Sequence, residues 1–310
     1  MPKVSVIIPN YNHHSYLKQR LETIRLQSFT DWEAIIIDDA STDNSVEIIE
    51  TYLQNHPDFK VKCFIKNKNN SGSGYKSWQK GITVAETAYI WIAETDDFTD
   101  TDFLKTTLGA LEKFRTAVLA FTASNYVNET GELLYDSIQR TKNLNVPDQT
   151  CKIFSGQRLI SKLPLNPYIT NASSVVFKKP EKAIPSEIFS HKQLSDLFLW
   201  TYLVNNNSFV FCNRLLNNFR QHKQSTTFKT FDKNLIAVYK EYVSYLNYFN
   251  QTIKYKALIN HYIKHYACKN KSRVLEVKVL QDLNTSDNVR VYYYKRLILF
   301  MLKKVFKNGK

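Results

Sequence analysis

Residues 4–12 read VSVIIPNYN, residues 35–41 read IIIDDAS and residues 89–97 read YIWIAETDD. In each stretch a short apolar run, rich in β-branched residues, breaks off into Pro, Asn, Asp or Glu. Val4–Ile8, Ala34–Ile37 and Tyr89–Ala93 have almost none of the alternation that a half-solvated strand would show. Runs of this kind read as parallel strands buried on both faces. Val61–Ile65 is a shorter candidate. Between the runs lie helical patterns, roughly Tyr16–Gln27, Ser45–Gln54 and Tyr75–Val84, and Ser41, Thr42 and Asp43 supply capping chemistry for the second. Strand–helix alternation predicts an α/β fold with an open, mostly parallel sheet and flanking helices.

Working outward, the spacing predicts a helix near Phe103–Phe114, a strand at Val118–Tyr126, a strand at Ser174–Phe177 and a helix near Leu194–Val204. From about Phe231 to Lys310 the pattern is helical and rich in Lys. The expected organisation is two parts of one domain, over 1–102 and 103–230, and a helical, basic region over 231–310.

The chain has 310 residues, enough for a full hydrophobic core, and its 43% apolar content is ordinary for a globular protein. Its formal net charge of +14 suits nucleotides, polyanions or an anionic membrane surface. Cys63, Cys151, Cys212 and Cys268 are far apart and form no CxxC pair. The expectation is reduced thiols in a cytosolic protein, rather than a zinc site or a disulfide framework. The N-terminus lacks a signal-peptide layout, and the apolar run Leu297–Leu302 is far below the ~20 residues that cross a bilayer. A soluble or peripheral protein is expected, cytoplasmic or at the inner face of the cell membrane.

Open parallel sheets bind ligands beyond the C-terminal ends of their strands. Here those ends are Pro9-Asn10-Tyr11-Asn12, Asp38-Asp39-Ala40-Ser41 and Glu94-Thr95-Asp96-Asp97. Five carboxylates on one edge of a basic protein repel each other unless cations or hydrogen-bond donors compensate them. No GxGxxG follows the first strand and no GxxxxGK[ST] occurs, so neither a Rossmann dinucleotide site nor a P-loop is supported. Ser71-Gly72-Ser73-Gly74 is too short a signal to mean much alone. Hard oxygen ligands without a phosphate-cradling loop suit a diphosphate held through Mg²⁺ or Mn²⁺.

The segments VSVIIPNYNHHSYL, IRLQSF, IIIDDASTDNS, YIWIAETDD and NNFRQHKQSTT, in this order and spacing, resemble a family 2 glycosyltransferase with the GT-A fold. The resemblance covers about residues 3–226 and implies that 1–102 is the nucleotide-sugar-binding part and 103–230 the acceptor-binding part of one GT-A domain. It implies that Pro9, Tyr11 and Asp39 line the nucleotide pocket, with Asp39 accepting a hydrogen bond from the base. A helix-capping turn is the structural alternative for Asp38 and Asp39. Glu94-Thr95-Asp96 stands in the place of the family's DxD motif, with Glu94 a departure from its usual first Asp. By the same resemblance Asp96 is a metal ligand, Glu94 contacts ribose or a metal-bound water, Asp97 is a further metal candidate, and Asp196 is the catalytic base. Asp196 alternatively caps its helix. Arg220-Gln221-His222 with Ser225-Thr226 resembles the segment that closes over the diphosphate. That implies a third metal ligand or phosphate contact at His222 and a positioning or donor-binding role for Arg220. His13-His14 read as ordinary residues at a helix start, because adjacent histidines rarely converge on one ion.

The implied activity is inverting transfer of a sugar from a nucleotide-sugar, UDP by family habit, to an acceptor hydroxyl of a glycan or lipid-linked glycan. A basic nucleic-acid-binding protein is the alternative from another class, but the acidic sheet edge would repel a phosphate backbone. A degenerate family member that binds donor or glycan without turnover is a third reading, and a nucleotidyltransferase a fourth that lacks the Gly-rich, basic loop it would need. In 289–310, seven Lys and Arg and no acid flank an apolar middle, which suits an interfacial helix on an anionic membrane. A terminal helix packed on the enzyme's own core is the other possibility there.

Overall fold

The computed structural model describes residues 2–222, 235–265 and 287–307. Ser225, Thr226, Cys268, Lys310 and the expected boundary at 230/231 lie outside the described residues. The chain divides into two compact units, Met1–His222 and Lys223–Lys310.

In the first unit the elements run β1 (Val4–Asn10), α1 (His14–Arg25), β2 (Trp32–Asp38), α2 (Ser45–Asn55), β3 (Val61–Lys66), α3 (Gly74–Val84) and β4 (Tyr89–Ile92). Then follow β5 (Phe98–Thr99), α4 (Phe103–Lys113), β6 (Ala117–Val127), β7 (Leu133–Asp136), the short α5 (Ile138–Thr141) and β8 (Cys151–Ser155). The short α6 (Gly156–Ile160), β9 (Val175–Lys178), α7 (Ser195–Val204) and β10 (Ser208–Arg220) complete it. The sheet has ten strands in the order β3-β2-β1-β4-β9-β6-β10-β5, with β7 on β6 and β8 on β10. Its first four strands are parallel, as their apolar runs predict. β9 then enters antiparallel to both β4 and β6, so the sheet as a whole is mixed.

Burial follows the alternation of side chains along a strand. Val4, Val6 and Ile8 join Leu17, Leu21 and Ile24 of α1, Ile49 of α2 and Leu104 and Leu108 of α4 in one core. Ile7 points the other way, toward α3, where a Cβ on Gly81 would lie 2.5 Å from its Cγ2. Gly81 therefore sets how closely α3 approaches the sheet.

Two sequence expectations fail for physical reasons. No strand was expected over Ser208–Arg220, yet β10 is the longest in the sheet, at 13 residues. Register shifts between Cys212 and Leu215, and between Leu215 and Asn217, interrupt its alternation and hide the period. The cysteines also differ from expectation. Cys151 and Cys212 face each other on antiparallel β8 and β10 and form a disulfide, while Cys63 is free. Their separation of 61 residues conceals a pairing that only the sheet register creates.

The second unit is helical where it is described: α8 (Leu235–Tyr248), α9 (Tyr255–His265) and α10 (Asp287–Lys307). Tyr239 meets His261 Nδ1 at 2.7 Å, and Arg296 Nε donates to Asn260 Oδ1 at 2.9 Å. Tyr293 and Leu297 of α10 are buried, as are Leu258, Ile259 and Tyr262 of α9.

Gly156 opens α6 against the end of α7: its N–H donates to Asn207 O at 2.7 Å, and an added Cβ would stand 1.9 Å from the Val204 carbonyl oxygen. That neighbour is backbone and has no rotamer to yield. Gly156→Ala is expected to cost at least about 1–3 kcal/mol, read as a lowered urea midpoint with unchanged slope.

Candidate active site

The register Asn10↔Asp38 between β1 and β2, and Ile7↔Ile92 between β1 and β4, brings the three polar strand ends to one edge. The turns there are stitched together. Asn12 and Ala40 adopt positive φ, 54° and 61°. Ser41 Oγ accepts the Asn12 N–H, and Asn12 Oδ1 accepts the Thr42 N–H. Asp38 is spent on this turn, accepting from Asn10 Nδ2 at 2.8 Å and from both the N–H and hydroxyl of Ser41. Asp39 accepts from Asn67 Nδ2 and from the N–H and hydroxyl of Ser71, so it anchors the Ser71–Gly74 loop. Pro9 lends its carbonyl to the Thr95 hydroxyl, and Tyr11 stands 44% exposed beside them.

Below β4 the acids are sorted by their partners. Glu94 is half-buried and accepts from Trp78 Nε1 at 2.6 Å. Burial, with Asp96 and Asp97 nearby, pushes its carboxyl up to about 8. Burial and Asp96 likewise push Asp97 up to about 6. Asp96 goes the other way. Burial opposes its ionisation, but the contact with His222 and the charges of His13 and His222 outweigh that and hold it below the usual carboxylate range.

Asp97, expected near a metal, faces into the fold instead. It accepts from Asn171 Nδ2 at 2.7 Å, the Ser173 hydroxyl at 2.7 Å and the Arg220 N–H at 3.0 Å. Arg220, expected at the donor, is 2% exposed. Its guanidinium donates to the carbonyls of Asp96 and Glu129 and to Gln19 Oε1, and it packs over Tyr16 and Phe98. Both side chains spend these contacts inside the protein.

His222 is brought to Asp96, with Nε2 2.9 Å from Oδ2, and its buried Nδ1 has no hydrogen-bond partner. His13 joins them: one ligand atom from each of His13, Asp96 and His222 lies within 4.8 Å of the others, the group of this kind found among the described residues. Asp196 sits in the first turn of α7. That helix is tied to the edge through α3, since Tyr75 donates to Gln193 O and Trp78 bridges Trp200 and Glu94.

Sequence reasoning passed over Arg20, Asn171 and Ser173, and read His13 as an ordinary residue at a helix start. Arg20 carried a signal: Leu17, Arg20, Leu21 and Ile24 share one buried face of α1, and a charge there requires a partner. Arg20 is fully buried, and burial lowers its guanidinium to about 10 despite the nearby acids. It donates to Glu94 O at 2.7 Å and Ser173 Oγ at 2.8 Å and lies over the Trp91 ring. The signal for His13 was its place directly after a strand whose end already lies at the edge.

The sequence model of the family "Glycosyl transferase family 2" matches residues 5–169, more than half of the chain. The chain belongs to glycosyl transferase family 2. Glycosyltransferase GlyG of Streptococcus pneumoniae is 30% identical over 132 residues, 43% of this chain and 42% of that protein. The poly(ribitol-phosphate) β-N-acetylglucosaminyltransferase TarS of Staphylococcus aureus is 31% identical over 121 residues, 38% of this chain and 20% of that protein. Chondroitin synthase of Escherichia coli is 31% identical over 134 residues, 43% and 19%. The chain thus spans less than half the length of these relatives. In structure it is similar to residues 1–349 of S. aureus TarS, with a TM-score of 0.63 at 17% identity over 99% of this chain and 92% of that one. The chain therefore has a GT-A-like fold, as that structure does.

Removing Arg20 would leave the Glu94 carbonyl and Asp97 without their buried cation. Arg20→Ala is expected to cost about 3–5 kcal/mol, measured by urea unfolding; a loss below 1 kcal/mol would show that the acids do not depend on it.

Proposed function

We propose that this glycosyltransferase moves a sugar from a UDP-sugar to a hydroxyl of a glycan or lipid-linked glycan in surface polysaccharide synthesis, inverting the anomeric centre, with Mn²⁺ or Mg²⁺ as cofactor. The observation that carries the reading is the Asp96–His222 pair at the edge where three strands end. Two ligand atoms side by side on one octahedral ion, with bonds of about 2.1 Å, stand about 3 Å apart. Asp96 Oδ2 and His222 Nε2, hydrogen-bonded at 2.9 Å in this structure, are close enough for a bound ion to take the place of the proton between them. A metal ion bound there would supply Lewis-acid charge to the departing diphosphate.

The chain's own residues supply the rest. In this reading Tyr11 and Pro9 border the base, and Asp39 accepts its ring N–H in exchange for one of the contacts it makes with Asn67 and Ser71. Glu94, two residues before Asp96, contacts the donor's ribose or a metal-bound water. Asp196 takes the proton of the acceptor hydroxyl as its oxygen forms the new bond to the anomeric carbon. The bond from that carbon to the diphosphate oxygen breaks in the same displacement, and its electron pair leaves with the nucleoside diphosphate. Attack opposite the leaving group inverts the centre. Support for the substrates comes from the relatives: TarS has been solved with UDP-GlcNAc, and its name and that of chondroitin synthase point to polymer acceptors. UDP and a polymeric glycan are therefore the proposed donor nucleotide and acceptor class.

The C-terminal helix α10 is proposed to bring the enzyme to an anionic membrane surface at the inner face of the cell membrane. Tyr293 and Leu297 face inward, while Val291, Tyr294, Ile298, Leu299 and Leu302 are exposed. Lys295 and Arg296 are exposed among them, and the sequence adds Lys303, Lys304 and Lys307, whose side chains lie outside the described residues. An apolar stripe with cationic flanks is complementary to anionic head groups over acyl chains, at about 1 kcal/mol per basic side chain. No helix among the described residues is long and apolar enough to cross a membrane.

Two variants test the chemistry together. Asp96→Ala should abolish the metal dependence of UDP binding in calorimetry. Asp196→Asn should keep that binding and lose transfer by ~100- to 10,000-fold. NMR of the product should show inverted anomeric configuration. For the membrane, the full chain should float with phosphatidylglycerol-containing liposomes at low salt and stay unbound on neutral ones. The double variant Ile298→Glu, Leu302→Glu should remain at the bottom of the gradient; equal flotation would end the membrane proposal.

A further inference from the structure

We propose that His13 is a third ligand of the metal held by Asp96 and His222, and that this two-histidine, one-carboxylate set makes the site prefer Mn²⁺ over Mg²⁺. The inference rests on the reading of Asp96 and His222 as ligands and adds a residue and a selectivity to it.

The fold places His13 for this role. It follows β1 directly and immediately precedes α1. The positive φ of Asn12 turns the chain there, and the Asn12 N–H is fixed on Ser41. The His13 carbonyl accepts the Tyr16 N–H at 2.9 Å, so the backbone at this point is held from both sides. The His13 ring stands 5.8 Å from the His222 ring at 82°. Near-perpendicular rings can aim nitrogens at one point without stacking. On one ion with bonds of about 2.1–2.2 Å, no two ligand atoms are more than about 4.4 Å apart. The three ligand atoms already lie within 4.8 Å of one another, so small side-chain rotations close the set.

The selectivity follows from the donor atoms. Both Mg²⁺ and Mn²⁺ favour oxygen ligands, but Mg²⁺ gives up its waters reluctantly, whereas Mn²⁺, a first-row transition ion, accepts imidazole more readily than Mg²⁺ does. One imidazole beside a carboxylate leaves Mg²⁺ competitive. A second replaces another oxygen and moves the balance toward the transition ion. Two histidines and one carboxylate on one side of the ion also leave positions open for diphosphate oxygens, which suit Mn²⁺. The competing account is that His13 only packs, since its ring also lies 5.9 Å from Tyr16. His13→Phe separates the two: it keeps an aromatic ring and removes the nitrogens.

Mn²⁺ binding in the presence of UDP is measured by the loss of the free-ion EPR signal, and Mg²⁺ is then titrated in as competitor. Wild type should bind Mn²⁺ and resist displacement by a large excess of Mg²⁺. His13→Phe should weaken Mn²⁺ binding by at least about tenfold and narrow the Mn²⁺/Mg²⁺ preference by a similar factor. Pulsed EPR should show nitrogen coupling from two imidazoles in wild type and from one in His13→Phe. Unchanged Mn²⁺ affinity and preference in His13→Phe would overturn the role of His13 while leaving Asp96 and His222 as ligands. If Mn²⁺ binding in wild type matched that in Asp96→Ala, the metal reading itself would fall, and this inference with it.

Discussion

Glu94, Asp96 and Asp97 place three carboxylates on four consecutive residues at the end of a buried strand, and the fold is organised around their mutual repulsion. Like charges this close do not all ionise without compensation. Two buried arginines from distant parts of the chain, Arg20 on α1 and Arg220 at the end of β10, bracket the acids. Between them Ser173 acts as a relay: its oxygen accepts from Arg20 and from the Glu94 N–H, and its hydroxyl donates to Asp97. The acids are thereby driven apart in character. Burial raises Glu94 and Asp97, while His222 and His13 keep Asp96 ionised. Of the three acids only Asp96 is thus held in the charged form, beside His13 and His222.

The same bracket engages Asp97 and Arg220 inside the fold, although both lie in the motifs that suggest ligand contact. A carboxylate that accepts three donors inside the protein has little capacity for a metal. A guanidinium committed to the Asp96 and Glu129 carbonyls and to Gln19 has none of its strongest directions left for a diphosphate. Their energetic role is large all the same, because a buried charge stripped of its partner is among the most destabilising changes a fold can suffer.

The parallel half of the fold was legible because strands buried on both faces must be apolar throughout, and Val4–Ile8, Ala34–Ile37 and Tyr89–Ala93 have no other reading. The strand ends were legible for the same reason, since polarity resumes abruptly where burial stops. What could not be read depends on register across long separations. The Cys151–Cys212 disulfide and strand β10 belong to this class. The two adjacent histidines also part company only in the fold: His14 turns to Asp43, while His13 lies with Asp96 and His222.

β10 couples these observations. It begins beside β6 and β8 and ends next to β5, carrying Arg220 and then His222 to the acids. Residues two apart on extended chain point the same way. Arg220 at the strand's end and His222 just beyond it thus reach Asp96 together, one at its carbonyl and one at its carboxylate. The irregularities between Cys212 and Asn217 set that parity, because a shift of one residue would send both side chains to the opposite face. The pairing of Asn217 with Ser124 and Asn171, all buried, fixes the register just after the irregular stretch. Side chains near the middle of the sheet therefore determine whether a histidine more than 120 residues downstream of Asp96 arrives at 2.9 Å from it.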